Sequence, residues 1–454
     1  MENTTDREYL LKEEKVKTAI LAMIIPSIVA GGINMLNIII DTYFLGNFAA
    51  DSLNSQAATA TSMSMVLLMN GFCFMLAIGT AVLVSKMLGE NKKEKISQYM
   101  ANSFVAGWVI YIMLLVVFLP LLPTIVEILT GASGDNPFYV NSLVYMKIMI
   151  IGFPTLIFTQ LSSQTIRAEG QANLIVRLSI VQVIINSIIN FVLISDTFPM
   201  ISFHGGPYEA AGAAIATVLS QGYMTIMLMR VLFNKNKTNF LIELPKLKFE
   251  KAWFAVFRNG FPQFLASVFF AIGIMIISIS AVNLSHELGR VGDEAAILSN
   301  ASGITVKLVM MVFLLINGAI QGIQGFFSYQ YGARQFDRLI EGLKYVRVLA
   351  LGTGITLFFV FFFFSTQIAG IFTSDIVVIE LVDLSLKALG ITCLLFPTAH
   401  MYFGLFAALG KPRLAMLCTI IRDFILLSGC AYLIPKYFGE SGLMITMQFS
   451  LLVG

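Results

Sequence analysis

Charge is what this sequence has least of. Of its 454 residues only 12% are charged, whereas 57% are hydrophobic, and the mean hydropathy is +0.84. Soluble domains carry about 25% charged residues, so the composition excludes an ordinary soluble protein. The chain is predicted to be an all-α polytopic membrane protein, and its organisation follows from its apolar spans.

Other absences narrow the function. The sequence contains no GxxxxGK[ST] phosphate-binding loop, zinc motif or catalytic triad, so we expect neither direct use of ATP nor enzyme activity. We expect no bound cofactor, no nucleic-acid partner, and a monomer in the lipid bilayer. Four cysteines without metal-ligand spacing are interpreted as small buried hydrophobes: Cys73, Cys393, Cys418 and Cys430.

The N-terminal segment lacks the features of a signal peptide. Its first 17 residues, MENTTDREYLLKEEKVK, carry charges of both signs but neither an apolar core nor a cleavage site of small residues. We therefore expect the first span to remain in the mature protein.

Twelve apolar segments are predicted to cross the membrane. They are 18–45, 55–83, 101–126, 139–165, 174–195, 209–233, 253–283, 295–329, 344–372, 376–408, 413–433 and 441–454. The last has 14 residues and would extend about 21 Å at about 1.5 Å per residue, less than the ~30 Å hydrocarbon core. The twelfth span is therefore expected to be short.

The loops differ in their content of lysine and arginine. One set is basic, and the opposite set contains only Arg290 and Lys436. Because basic loops stay on the cytoplasmic side, we expect a cytoplasmic N-terminus and insertion in the plasma (inner) membrane. The basic set comprises Lys86, Lys92, Lys93, Lys95, Arg167, the lysines from Lys235 to Lys251, Arg334, Arg338, Lys411 and Arg413.

The two halves of the chain repeat one another. Four motifs recur in order, at offsets of 236, 243, 243 and 240 residues. Six spans in each half imply two lobes related by a pseudo-twofold axis along the membrane normal, with a central cleft between them. The predicted organisation is a cytoplasmic segment 1–17, an N-lobe 18–233, a cytoplasmic linker 234–252 and a C-lobe 253–454. The aligned pairs are Pro26 with Pro262, Gly89 with Gly332, Pro154 with Pro397 and Gly170 with Gly410.

The repeated motifs occur together with NIIIDTYFLG, RAEGQAN, GAAIATVLSQG, QGIQGFFSYQYGA and FAALGKPRLAM. Through these motifs, the chain resembles the multidrug and toxic compound extrusion (MATE) family over about residues 15–450. The YQYGA and ALGKPR pieces are most similar to the MepA-like bacterial branch. The resemblance implies a twelve-helix antiporter that expels amphipathic, often cationic drugs in exchange for H⁺ or Na⁺. It also implies that Asp41, Asn186, Asn190 and Thr217 bind the coupling ion, with the first three as ligands if that ion is Na⁺.

The sequence departs from the family pattern at several positions. Asn190 stands where some members have an aspartate, so coupling by protonation of two carboxylates is excluded at this site. Phe270 and Thr398 stand where NorM-like members have acids, so the C-lobe cation site of that branch is not expected. Asp41 is left as the one obvious buried carboxylate able to carry the coupling ion.

Helical spacing supports an inward polar surface around Asp41. Asn37 and Asn34 precede it by four and seven residues, and Gln182, Asn186 and Asn190 follow one another at intervals of four, so each set shares a helix face. Two such stripes can supply oxygens for Na⁺ or hold a proton on a desolvated carboxyl group. Alternatively, these side chains only join helices by hydrogen bonds.

Further residues are candidates for the substrate cleft. Lys307 either lines the cleft or extends to the outer interface. His400 either titrates near neutrality or packs through hydrogen bonds. Asn34, Met35, Asn37, Phe153 and Gln160 are also predicted to lie near the cleft.

Two alternative functions are weighed against drug export. A lipid-linked saccharide flippase of the same superfamily would need several basic cavity residues, and Lys307 is the one good candidate. A non-transporting scaffold or sensor would have no need for Asp41 in a span, where a carboxylate costs about 2.5–3.5 kcal/mol.

Overall fold

The structure is a computed structural model that describes residues 11–50, 52–130, 133–195, 197, 209–234, 238, 241, 252–289, 293–373 and 375–453. Residues 1–10 of the predicted terminal segment and most of the predicted linker 234–252 lie outside the described residues. All regular structure in the described part is helical.

The N-lobe helices begin close to the predicted spans. They are α1 (Val16–Asn47), α2 (Ser52–Gly89), α3 (Lys93–Thr130), α4 (Pro137–Ile151), α5 (Phe153–Ala168), α6 (Ala172–Ile194) and α7 (Glu209–Leu232). The fourth span is broken at Gly152, where α4 and α5 meet at 51°. Pro154 lies in the first turn of α5, where a missing N–H costs nothing.

The C-lobe repeats this plan. Its helices are α8 (Ala252–Glu287), α9 (Asp293–Gly332), α10 (Phe336–Phe363), α11 (Ser365–Phe372), α12 (Ile376–Cys393), α13 (Phe396–Ala408), α14 (Pro412–Thr419), a π-helical segment (Ile420–Leu426) and α15 (Leu427–Val453). The tenth span is broken between α12 and α13, and Pro397 lies in the first turn of α13. The break therefore recurs at the position equivalent to Gly152.

The described helices provide twelve crossings, as predicted. Nine helical runs are individually long and apolar enough to span a membrane, and the bent pair α4–α5 is a tenth. Another crossing is formed by α12 and α13 together. The run Pro412–Leu452 divides into two at Gly439, whose φ of 57° and ψ of −138° are not helical.

Two local predictions are wrong. The predicted loop 434–440 between spans eleven and twelve is helical except for the kink at Gly439. Cys418 is exposed on the helical surface and Cys430 is partly exposed, whereas Cys73 and Cys393 are buried as expected. An exposed thiol on an apolar span is compatible with a lipid-facing surface, which needs no polar partner.

Backbone conformation confirms the duplication independently of side chains. Gly170 and Gly410 both have positive φ, of 90° and 65°, and so do Asn91 and Arg334, each at 57°. The members of each pair are separated by the offsets of the sequence repeat. The residue directly after each of these positions donates its backbone N–H to the carbonyl five residues before it and so closes the helix, as in the bond from Lys92 N to Met87 O, at 3.0 Å.

The two lobes meet through reciprocal glycine contacts. A Cβ at Gly89 would overlap the carbonyl oxygen of Tyr329, and a Cβ at the equivalent Gly332 would overlap that of Lys86. Such reciprocity is what a twofold relation between the lobes produces. The same close approach pairs α2 with α8, where Gly260 packs on the Met75 carbonyl.

Contact between the lobes is concentrated at one end of the bundle. We call this the basic end, because the basic loops after α2, α5 and α9 lie there. One hydrophobic cluster at this end includes Ile20 and Met23 of the N-lobe and Phe326 and Phe327 of the C-lobe. Arg167 of α5 donates to Gln321 of α9 across the same boundary, at 2.5 Å. The basic end is therefore closed.

Toward the opposite end of the bundle, the glycine contacts between α1 and α9 end. On α9, Leu314, Gly318 and Gly322 touch α1, and Gly303 lies on the same helix face, eleven residues before Leu314. A Cβ at Gly303 would meet nothing within 4 Å. We infer that a cleft separates the lobes beyond the level of Gly31 and Leu314.

Candidate functional site

A polar site within the N-lobe joins three helices around Asp41. On α6, Asn190 Nδ2 donates to Asp41 Oδ1 at 2.6 Å and to Asn186 Oδ1 at 3.0 Å. On α7, Thr217 Oγ1 donates to Asp41 Oδ2 at 3.4 Å. The structure thus brings together all four residues that the sequence predicted to bind the coupling ion.

The sequence of α6 explains why its polar residues face inward. Gln182, Asn186 and Asn190 are buried on one side of the helix, whereas Ile184 and Ile188 are 53% and 58% exposed. In a membrane the exposed face contacts lipid and is apolar, so polar side chains collect inside the bundle. The four-residue spacing then directs both amides of the site toward α1.

Three buried amide atoms of this region have no hydrogen-bond partner. They are Oδ1 of Asn37, Oδ1 of Asn190 and Nδ2 of Asn186. A buried polar atom without a partner costs about 1–3 kcal/mol, and such atoms are usually paired unless they serve a function. The site can therefore form further hydrogen bonds through these three atoms.

Both oxygens of Asp41 accept hydrogen bonds, as those of an ionised carboxylate do. Both carboxylate oxygens face N–H or O–H donors, whereas Na⁺ requires several oxygens that converge on one point. Na⁺ would fit only after the Asn190 amide turned its unpartnered Oδ1 toward Asp41. Within the described ranges, no three His, Cys, Asp or Glu side chains are grouped so as to hold a metal ion.

Five of the seven residues predicted to line the cleft are at least partly exposed, and the other two are buried. Asn34 and Lys307 are exposed, and Met35, Asn37 and Gln160 are partly exposed. Lys307 lies on the α9 face that carries Leu314 seven residues later, so it borders the open part of the cleft.

Two predictions for the cleft are wrong. Phe153 is 1% exposed and packs in the N-lobe core with Met149 and Ile157. The break at Gly152 turns the start of α5 into that core. His400 is likewise 1% exposed, because it is enclosed by Phe313, Phe396 and Phe403.

The C-lobe contains a charged network that sequence reasoning missed. Arg422 and Asp423 are 7% and 4% exposed and lie in the π-helical segment. The guanidinium donates to both oxygens of Asp423, at 2.6 Å from Nε and 2.9 Å from Nη2. Its Nη1 lies 2.8 Å from His400 Nδ1, and His400 Nε2 lies 3.3 Å from Asn317 Oδ1.

Asp41 is not the only carboxylate inside the described part of the protein. Besides Asp423, Glu169 and Glu209 have no exposed surface. Glu209 accepts from Ala50 N at 2.8 Å, and Glu169 accepts from Thr238 at 2.7 Å and from Gln171 at 2.9 Å. Both glutamates lie at helix ends, where they hold neighbouring segments together. A signal for the network was present, because RD stands inside the apolar run CTIIRDFILL.

Comparison with known proteins agrees with this architecture. A sequence model of the MatE family matches residues 26–192 and 262–432, so one family unit matches each lobe and both matches begin at the paired prolines. The multidrug export protein MepA of Staphylococcus aureus is 23% identical over 438 residues, which are 96% of this chain and 91% of that protein. MepA of Staphylococcus saprophyticus is 22% identical over 442 residues, with the same coverage.

Solved structures show the same fold. A MOP superfamily transporter from Pyrococcus furiosus superposes with a TM-score of 0.86 at 20% sequence identity, covering 100% of this chain and 96% of that one. An outward-facing multidrug resistance transporter of the MATE family gives a TM-score of 0.85, again at 20% identity and with the same coverage. With two matching family units on a shared twelve-helix fold, this multi-pass membrane protein belongs to the MatE family.

Proposed function

We propose that this protein is a secondary active exporter that moves amphipathic, cationic organic compounds out of the cell in exchange for a coupling cation. The observation that carries the proposal is Asp41, a carboxylate inside the N-lobe that accepts hydrogen bonds from Asn190 and Thr217. The relatives named as multidrug export proteins support the substrate class.

The proposed orientation places the basic end in the cytoplasm, because basic loops stay on that side. The present conformation, closed at the basic end and open at the other, then faces outward. In this conformation a proton from outside would neutralise Asp41, and the neutral form lowers the electrostatic cost of closing the N-lobe around it. The charged form favours hydration or a cationic substrate.

Proton coupling is the form of antiport that we propose. We assign H⁺ as the ion, since the hydrogen bonds to Asp41 leave no converging set of oxygens for Na⁺. If Na⁺ drives transport instead, the amide of Asn190 has to rotate, and Asn190→Leu would then abolish the Na⁺ response.

A lipid-linked saccharide flippase is less well supported. Pyrophosphate recognition calls for clustered cations, whereas Arg167 and Arg422 are engaged by Gln321 and Asp423. Of the basic side chains considered for the cleft, Lys307 is the one on its open part.

The proposal is tested by drug uptake into everted membrane vesicles, in which export from the cell becomes transport into the lumen, under separate outwardly directed H⁺ and Na⁺ gradients. We expect Asp41→Asn to reduce gradient-driven uptake of ethidium to that of vesicles without the protein. Asp383→Asn is the matched control, because Asp383 is a carboxylate on α12 that pairs with Lys387 at 2.8 Å, away from the cleft. Undiminished uptake by vesicles carrying Asp41→Asn would refute the coupling role.

A further inference from the structure

The C-lobe network fixes the protonation state of His400 in this conformation. Guanidinium groups only donate hydrogen bonds, so His400 Nδ1, at 2.8 Å from Arg422 Nη1, has to accept. Nδ1 therefore carries no proton, and the imidazole is neutral with its proton on Nε2. That proton points to Asn317 Oδ1 at 3.3 Å.

The hydrogen bonds beyond His400 are consistent with this assignment. Asn317 Nδ2 donates to the Phe313 carbonyl at 3.0 Å, which leaves Asn317 Oδ1 as the acceptor for Nε2–H. The directions of donation are thus defined from Asp423 through Arg422 and His400 to Asn317. The chain links the eleventh, tenth and eighth spans.

The network has no room for a second proton without rearrangement. Its net charge is zero, because the guanidinium balances the carboxylate of Asp423. A proton on Nδ1 would place an N–H donor against the N–H of Arg422 and two like charges side by side in a buried site. Either the hydrogen bond between His400 on the tenth span and Arg422 on the eleventh breaks, or the imidazolium displaces Arg422 from Asp423.

The other elements around His400 contribute no charge. The surrounding rings of Phe313, Phe396 and Phe403 have centroids 5.1–5.6 Å from that of His400. The charged residues Lys344 and Arg347 of α10, which packs against α13, are exposed. The thiol of Cys418, the other titratable group near Arg422, is exposed as well.

We propose that His400 is a second coupling-proton site, located in the C-lobe, and that protonation breaks its bond to Arg422. Binding of this proton destabilises the conformation described here and allows the tenth span to move relative to the eleventh. The π-helical segment provides the geometry, because adjacent residues of an α-helix do not face each other and π-helical turns are frequent at functional sites. The inference rests on the proposed proton-coupled export.

The decisive measurement is the number of protons exchanged per substrate. Proteoliposomes would be clamped at zero membrane potential, and the equilibrium ethidium gradient would be measured against the imposed pH difference. Two coupling protons support a gradient of about 100-fold per pH unit, and one supports about tenfold. We expect the wild type to build a gradient of about 100-fold per pH unit, and His400→Asn to build one of about tenfold. The Oδ1 of the introduced asparagine can still accept from Arg422.

Each outcome has a defined meaning. If His400→Asn gives the wild-type slope, His400 carries no coupling proton and the inference is overturned, while the proposed function stands. If the wild type builds no gradient in response to pH, both fail.

A second variant covers the case in which His400→Asn does not fold. Arg422→Gln combined with Asp423→Asn removes both charges, so no unpaired charge remains buried. Without the neighbouring guanidinium, His400 should hold its proton to higher pH, and the pH of half-maximal transport should rise. A merely structural role for His400 predicts no such rise, and its absence would overturn the inference.

Discussion

The N-lobe places a partly buried acid on the first span, where Asp41 faces neutral donors on α6 and α7. The C-lobe instead places the buried Asp423 on the eleventh span beside Arg422. The offsets of the sequence repeat identify the equivalent residue in the other lobe for each of these positions. The residue equivalent to Asp41 is Ile277, and the residue equivalent to Arg422 is Gln182. Two lobes with one backbone plan therefore hold a lone acid in one case and a compensated ion pair in the other.

This difference predicts opposite responses of stability to loss of charge. Asp423→Asn should destabilise the folded protein by about 3–5 kcal/mol, because it leaves the Arg422 guanidinium buried without a counter-ion. Asp41→Asn removes a charge that has no cationic partner, so it should unfold at the wild-type temperature or above. Thermal unfolding of the two variants in detergent checks both, and equal midpoints would contradict the comparison.

Where the lobes remain alike, matched substitutions should act alike. Gly89→Ala and Gly332→Ala each insert a methyl group against a backbone carbonyl of the other lobe, and overpacking of this kind costs about 1–3 kcal/mol. Both should weaken closure of the basic end and reduce maleimide labelling of a cysteine introduced at Asn34 in a cysteine-free background. Gly303→Ala, which meets open space, is the control, and labelling lowered by only one interface variant would contradict the symmetry.

A second acid in the N-lobe should change its titration. Asn190→Asp places a carboxyl group within hydrogen-bonding distance of Asp41, and two adjacent carboxylates hold one proton more tightly than one does. We expect the pH of half-maximal efflux to rise by about one unit. Asn190→Leu is the control without a charge. An unchanged pH profile in Asn190→Asp would show that Asp41 does not titrate during transport.

The smallest effect is expected for the ion pair at the rim of the C-lobe. Lys387 and Asp383 are 2.8 Å apart with partly exposed side chains, and such pairs contribute about 0–1 kcal/mol. Asp383→Asn should therefore shift thermal unfolding little. If Asp383→Asn lowered the free energy of unfolding as much as Asp423→Asn, then solvent exposure would not explain the difference between the Asp383–Lys387 pair and the Asp423–Arg422 pair.

The spans, the repeat and the polar helix faces around Asp41 could be predicted from the sequence, because each depends on a spacing visible along the chain, whereas the role of those faces in ion binding stays a prediction. Prolines and glycines at fixed offsets identify the repeat, and residues four apart share a helix face. The C-lobe network depends instead on a π-helical segment that brings the neighbours Arg422 and Asp423 together, and helical periodicity assigns them to different faces. The burial of Phe153 depends on the bend at Gly152, which periodicity does not indicate either.

Arg334 adopts the same left-handed backbone conformation as Asn91, although arginine has little intrinsic preference for it and asparagine tolerates it. The turns after the second and eighth spans thus share one shape, although their residues differ in how well they favour it. Main-chain torsion angles here show the internal repeat at a position where the side chains do not. Comparing torsion angles along a chain against themselves would reveal such duplications after residue identity has faded.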